Sequence, residues 1–264
     1  MRTNDLAAEP LPALVKGTGP GLLLAHGAGG SPELNFPFID DLARRHTVVA
    51  PYYPGTGPAP RAATPLSADD LADRLVATAV DAGLASFAML GYSLGVPLTI
   101  RAAARHPERV RALALTAGFA HARTSMQSAG ALWAGLLARG DQESLAHFLA
   151  FFCGSEAGLS ALSSDDYARL VETLRTPPPP GAPDQVDLVQ RIDVRADLPR
   201  IAVPTLVVAT TADTLVAPAH SAELLDAIPG ARGVSIDSGH LIGAERPDEW
   251  HRAIEHFLQT LDTE

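Results

Sequence analysis

Three residues far apart in the chain, Ser93, Asp213 and His240, are of the types that together perform nucleophilic chemistry. A serine hydroxyl attacks a carbonyl carbon only when a base takes its proton. An imidazole is that base when a carboxylate holds it in the right tautomer. Ser93 is the centre of Gly91-Tyr92-Ser93-Leu94-Gly95, which lies between an apolar run at 87–90 and a helix-prone stretch at 96–106. There the pattern reads as a nucleophile elbow, a strand-to-helix turn so sharp that glycines flank it and the hydroxyl is thrust out at the sheet edge. Asp213 closes Thr210-Thr211-Ala212-Asp213 after the apolar run 205–209, and His240 closes Asp237-Ser238-Gly239-His240 after a run at 233–236. His26-Gly27-Ala28-Gly29-Gly30 also ends an apolar run, with small residues that let backbone amides approach a ligand. The amide of Ala28, or that of Gly29 in its place, paired with the amide of Leu94 would hold a developing tetrahedral oxyanion.

All four groups must meet at one place, and the rhythm of the chain supplies it. Apolar runs at 22–25, 47–50, 87–90 and 110–115 alternate with helical patterns at 67–82, which opens on a capping-box-like Ser67-Ala68-Asp69-Asp70, and at 96–106. Near-continuous apolar runs suit parallel strands buried on both faces, and the βαβα order predicts a doubly wound, mostly parallel sheet with its ligand site at the carboxyl ends of the strands. The rhythm breaks after Phe119. Helical patterns at 125–139, 143–152 and 165–176, then the stiff Pro177-Pro178-Pro179-Pro180, predict a helical insertion over that edge. The pattern resumes with the strand 205–209, a helix at 219–228, a strand at 233–236 and a closing helix at 247–261. The expected organisation is a core of residues 1–120 and 200–264 with a cap or lid at 121–199.

The 264 residues suffice for one large α/β domain, and 47% hydrophobic with 19% charged residues suits a sizeable core. The 20 Lys and Arg against 30 Asp and Glu give a formal charge of −10, which disfavours nucleic acid as a partner. Cys153 is the only cysteine, so no internal disulfide forms, and its setting in Phe151-Phe152-Cys153-Gly154 reads as packing. No stretch approaches the ~20 apolar residues of a membrane span, and Met1-Arg2-Thr3-Asn4-Asp5 has no long apolar core of a signal peptide. The expectation is a cytoplasmic protein with a small-molecule substrate and no membrane partner; nothing in the pattern sets an oligomeric state. The histidines show no metal-ligand spacing, so neither metal nor cofactor is expected.

Other residues compete for roles. Asp187 and Asp237 are fallback acids. His26 reads as a brace for its loop, and His106 as the end of a helix. Tyr52 and Tyr53 stand at a strand's carboxyl end, where loops border a cleft. Trp133 and Phe148, with Phe151 and Phe152, recur at helical spacing. Gly27, Gly29, Tyr52, Tyr53, Trp133 and Phe148 are the candidates for lining the substrate site.

These segments resemble the α/β-hydrolase fold superfamily from about Leu22 to Leu258. The resemblance rests on His26-Gly27, Ala50-Pro51-Tyr52-Tyr53-Pro54-Gly55-Thr56-Gly57, the elbow, His106-Pro107-Glu108-Arg109-Val110, Val203-Pro204-Thr205-Leu206-Val207-Val208 and Gly239-His240. It implies a Ser93–His240–Asp213 triad in that superfamily's chain order, a backbone oxyanion hole, a helical cap and no cofactor. Three positions depart from it: Tyr52 stands where an aspartate is common, Val96 where a glycine follows the elbow, and Thr210-Thr211-Ala212 where a glycine opens the acid loop. The expected reaction is hydrolysis of a small to medium, largely apolar carboxylic ester, lactone or thioester through an acyl-enzyme. A carbon–carbon bond hydrolase or cofactor-free lyase-like member is the alternative, needing a polar cap contact such as Arg123 or Arg175. A non-enzymatic ligand-binding relative is the third.

Overall fold

The computed structural model describes residues 8–261. The reading of Met1 to Asp5 and the outermost bounds of the expected core lie outside those residues. One seven-stranded sheet, in the order β1-β3-β2-β4-β5-β6-β7, organises the chain. Its strands are β1 (Ala13–Lys16), β2 (Gly21–Ala25), β3 (Thr47–Pro51), β4 (Phe87–Tyr92), β5 (Val110–Thr116), β6 (Thr205–Thr210) and β7 (Arg232–Ile236). β1 runs antiparallel to β3, and every other pairing is parallel. Each expected strand is present. β1 is an addition, four residues at the sheet's edge whose mostly half-buried pattern carries little signal.

Alternating side chains of the central strands feed two separate cores, which is what a sheet covered on both faces requires. Leu23, Phe87, Met89, Leu113 and Val207 belong to one, with residues of α3 (Ala68–Asp81) and α4 (Gly95–Arg105). Leu22, Leu24, Ala88, Leu90 and Val208 belong to the other, with Trp250, Ile254 and Leu258 of the closing helix Pro247–Leu261. The short helices α1 (Pro32–Asn35) and α2 (Ile39–Leu42) follow β2; at four residues each they leave no periodicity to read.

Between the neighbours β5 and β6 the chain makes five helices: α5 (Thr124–Arg139), α6 (Gln142–Cys153), α7 (Glu156–Ser160), α8 (Ser164–Leu174) and α9 (Ala182–Arg191). It leaves and returns through a paired neck, His121 bridging Asp193 antiparallel and the Val194 amide donating to the Ala120 carbonyl at 2.9 Å. Prolines 177–180 separate α8 from α9. The sequence reading stops at them, yet α9 begins at once, with a proline in its first turn where a missing N–H costs nothing. After β6 come α10 (Pro218–Ala227), β7, α11 (Ile242–Glu245) and α12 (Pro247–Leu261).

The turn from β4 into α4 is tight and carries backbone strain. Ser93 has φ of 54°, in the left-handed region that costs an L-residue roughly 1–2 kcal/mol. Its amide donates to the Thr116 carbonyl at 3.1 Å and its carbonyl accepts from the Val96 amide at 3.0 Å, which hold the strained residue in place. A side chain on Gly95 would bring its Cβ within 1.9 Å of the Ala25 carbonyl oxygen, so α4 rests on the end of β2 by bare backbone. Val96, the residue in the family's glycine position, is fully buried, and Gly118 across from it supplies the room: a Cβ there would lie 2.4 Å from both Val96 methyls. Gly95→Ala is expected to lower unfolding free energy by at least about 2 kcal/mol. Equal urea midpoints for variant and wild type would contradict the close approach.

Candidate active site

The carboxyl ends of β4, β6 and β7 bring the three nucleophile-chemistry residues into one hydrogen-bonded line. The Ser93 hydroxyl lies 3.0 Å from His240 Nε2, and His240 Nδ1 lies 2.7 Å from Asp213 Oδ2. All three are buried. A buried carboxylate needs donors for each of its oxygens. Asp213 has them: Oδ2 also accepts from the Thr210 hydroxyl at 3.0 Å, and Oδ1 accepts from the Leu215 and Val216 amides at 3.0 and 2.8 Å. Thr210, the last residue of β6 and the first of the three that depart from the resemblance, therefore helps fix the carboxylate. The fallback acids are occupied elsewhere, Asp187 by Arg191 at 2.6 Å and Asp237 by the Thr211 hydroxyl at 3.4 Å.

His240 is held by its backbone. The Tyr92 hydroxyl donates to the His240 carbonyl at 2.7 Å, and the Leu241 amide donates to the Cys153 carbonyl at 2.9 Å. Glu245, at the end of α11, accepts from the Gly239 amide at 3.0 Å and from the Ser155 amide at 2.7 Å. The acid loop has a matching tie, from the Thr214 hydroxyl to the Phe152 carbonyl at 3.0 Å. The junction between α6 and α7 is thus stitched to the loops carrying both Asp213 and His240. The sequence reading misses Glu245 and the tyrosine's anchoring role. Tyr92 stands inside the quoted motif, but Glu245 has no local signal beyond its nearness to His240.

The loop after β2 lies against Ser93, a Cβ on Gly27 falling 3.1 Å from the serine's Cβ. In that loop the amide of Gly27 is taken by Asn35 Oδ1 and that of Gly29 by Gln185 Oε1, each at 2.8 Å. Among the described residues the amides of Ala28 and Leu94 make no such bond. Of the amides of Ala28 and Gly29, only that of Ala28 is thus left without an acceptor among the described residues. His26 braces the loop from beneath. Its Nδ1 lies 2.8 Å from the Gly27 carbonyl, its Nε2 accepts from the Tyr53 amide at 3.3 Å, and its ring stacks on Tyr53 at 3.8 Å.

A cavity of about 310 Å³ opens over Ser93 and His240, near the small end for ligand sites. Gly27, Ala28, Gly29 and Trp133 line it, with Leu149, Leu170, Leu174, Leu215 and Leu241. No Asp, Glu, Lys or Arg is among its lining residues. Three residues expected there are elsewhere. Tyr53 is fully buried beneath the loop, stacked on His26. Tyr52 turns its hydroxyl to the Glu33 carboxylate, and burial together with that carboxylate pushes its phenol up to about 12. Phe148 faces inward, supporting Trp133 from 6.0 Å and Phe152 from 4.7 Å. Cys153 borders the cavity, but burial raises its thiol pKa, the reverse of what a nucleophilic thiol needs.

The family model described as alpha/beta hydrolase fold matches residues 20–247. The chain belongs to the alpha/beta hydrolase fold family. This α/β-hydrolase is 31% identical to the pyrrolizixenacetamide deacetylase of Xenorhabdus hominickii over 94% of each chain. It is 29% identical to the pimeloyl-(acyl-carrier protein) methyl ester esterase of Stenotrophomonas maltophilia, over 94% of this chain and 96% of that one. The enol-lactonase from Burkholderia xenovorans LB400 shares the fold, with a TM-score of 0.83 at 22% identity, covering 94% of this chain and 96% of that one. The α/β-hydrolase is therefore an enzyme of the hydrolase class. No helix among the described residues is long and apolar enough to cross a membrane.

Burial, countered in part by the bond to the Gly27 carbonyl, lowers the His26 pKa from 6.5 to about 4, so the brace is a neutral imidazole. A histidine lowered on folding binds its proton more readily in the unfolded chain. Its stabilising contribution is complete above pH 6.5 and falls away as pH drops towards 4. Between pH 7 and pH 5 wild type should lose about 2 kcal/mol more unfolding free energy than His26→Gln, which keeps a donor and an acceptor but does not titrate. Parallel urea-unfolding pH profiles would contradict the neutral brace.

Proposed function

We propose that this α/β-hydrolase is a serine hydrolase that cleaves small to medium, largely apolar carboxylic esters, lactones or thioesters through an acyl-enzyme. The observation that carries the proposal is the continuous line from the Ser93 hydroxyl through His240 to Asp213, opening onto a cavity with leucines and Trp133 in its wall and no Asp, Glu, Lys or Arg. In this reading Ser93 Oγ attacks the carbonyl carbon while His240 Nε2 takes its proton. Asp213 keeps the Nδ1 proton oriented and stabilises the imidazolium. The Ala28 and Leu94 amides receive the oxyanion, each such donor contributing a factor of ~10²–10³ in turnover. His240 then protonates the leaving group and activates the water that releases the acid. The segment 121–199 acts as a cap, Trp133 of α5 closing over the oxyanion loop, where a side chain on Gly29 would meet its ring at 3.4 Å.

The names of the relatives agree with acyl chemistry on uncharged centres: a deacetylase, a methyl ester esterase and an enol-lactonase. The carbon–carbon alternative calls for a polar contact from the cap, and neither candidate supplies one. Arg123 pairs with Glu223 and Arg175 with Glu172, both at 3.2 Å, and neither lines the cavity.

Initial rates on nitrophenyl acetate, butyrate, octanoate and laurate test the reading. An optimum at short or medium acyl length, with laurate poor, is expected for a cavity of this size, and Ser93→Ala should abolish the rate with stability changed by no more than ~1 kcal/mol. A rate that survives Ser93→Ala would refute it. Asp213→Asn should preserve folding yet lower kcat by a large factor, about 10⁴ where the same change presents the wrong tautomer in a serine triad. An undiminished kcat would remove Asp213 from the mechanism.

A further inference from the structure

Gln185 is a polar side chain with no exposed surface, carried by α9, and it does not line the cavity. Its bonding is complete. Oε1 accepts from the Gly29 amide at 2.8 Å, and Nε2 donates to the Thr56 hydroxyl at 3.0 Å and to the Pro54 carbonyl at 3.4 Å. The helix starts on the same platform, the Gly181 amide donating to the Gly55 carbonyl at 3.0 Å. Gln185 therefore joins three pieces distant in sequence: the helical segment, the loop after β3 and the loop after β2.

Its bond to Gly29 falls one residue past the amide that the proposed mechanism uses. A run of small residues has little intrinsic preference for the direction of its peptide planes. Here side-chain acceptors on both sides remove that freedom. Asn35 takes the Gly27 amide and Gln185 takes the Gly29 amide, which leaves the amide of Ala28 as the unclaimed donor between them. Asn35 sits only eight residues from its partner, whereas Gln185 reaches across 156. We propose that Gln185 is a positioning residue for the oxyanion site, so that the helical segment, and not the sheet alone, sets the aim of the Ala28 amide. The inference rests on the reading of Ser93 as nucleophile. It makes the segment part of the transition-state machinery as well as a wall of the cavity, because lifting α9 would release the Gly29 amide and loosen the donor beside it.

A fluorophosphonate tests this without knowledge of the natural substrate. Ser93 Oγ bonds to phosphorus, fluoride leaves, His240 takes the serine proton, and the phosphoryl oxygen occupies the oxyanion site. Gln185→Met, close in shape but without the hydrogen bonds, should slow Ser93 labelling about tenfold at a temperature where circular dichroism shows the variant still folded. Thr56→Val, which leaves Gln185 in place but removes one of its anchors, should fall between the two. Asp184→Asn, which loosens α9 only at its surface pair with Arg61, should label at the wild-type rate. On nitrophenyl acetate the loss in Gln185→Met should appear in kcat with KM within twofold. Wild-type labelling rates in Gln185→Met overturn the proposal, as does a loss confined to KM. Should Gln185→Met fail to fold, wild-type labelling by Thr56→Val overturns it instead. Wild type that resists labelling at Ser93 overturns the nucleophile reading, and this inference with it.

Discussion

A buried carboxylate, an imidazole and a hydroxyl must lie in line to within hydrogen-bond distance, and most of the local structure follows from that requirement. The groups come from the ends of β4, β6 and β7, which are not all neighbours in the sheet, so each must lean towards the others out of its own loop. Ser93 does so through a left-handed backbone held by bonds to Thr116 and Val96. Asp213 does so inside a ring of donors that compensates the loss of water around its charge. His240 does so on a loop anchored by Tyr92, Glu245 and the end of α6. Local strain on one side is balanced by satisfied polar groups on the other.

The helical segment between β5 and β6 does more than cover this arrangement. At the junction of α6 and α7 it bonds to the loops that carry the aspartate and the histidine. At α9 it bonds to the loop that carries the Ala28 amide. The same segment supplies Trp133, Leu149, Leu170 and Leu174 to the cavity. Specificity and alignment thus have the same physical source. A change in this segment that alters the cavity shape is therefore expected to be felt by the loops carrying Asp213, His240 and the Ala28 amide as well.

Ser93, Asp213 and His240 are legible in the sequence because each stands just past a strand, and parallel strands place their carboxyl ends at one edge. The doubly wound sheet is legible for the same reason. Residues whose roles depend on contacts between distant segments are not. Tyr53 shares its loop position with Tyr52, yet stacking on His26 draws it into the core, while Glu33 draws Tyr52 aside. Trp133 and Phe148 occupy similar helical stripes, and only the packing of α5 against α6 decides which faces the cavity. Val96 reads as crowding until Gly118 is found opposite it. Gln185 offers no signal at all, because its partners are 156 and 129 residues away.

The proposed function rests on acyl transfer through Ser93. Rapid mixing with an excess of the best nitrophenyl ester, millisecond acid quenching and peptide mass analysis test it directly. The expected result is an acyl increment on the peptide containing Ser93, formed at least as fast as steady-state turnover and absent from the serine-to-alanine variant. An acyl group found on another side chain while turnover proceeds would contradict it.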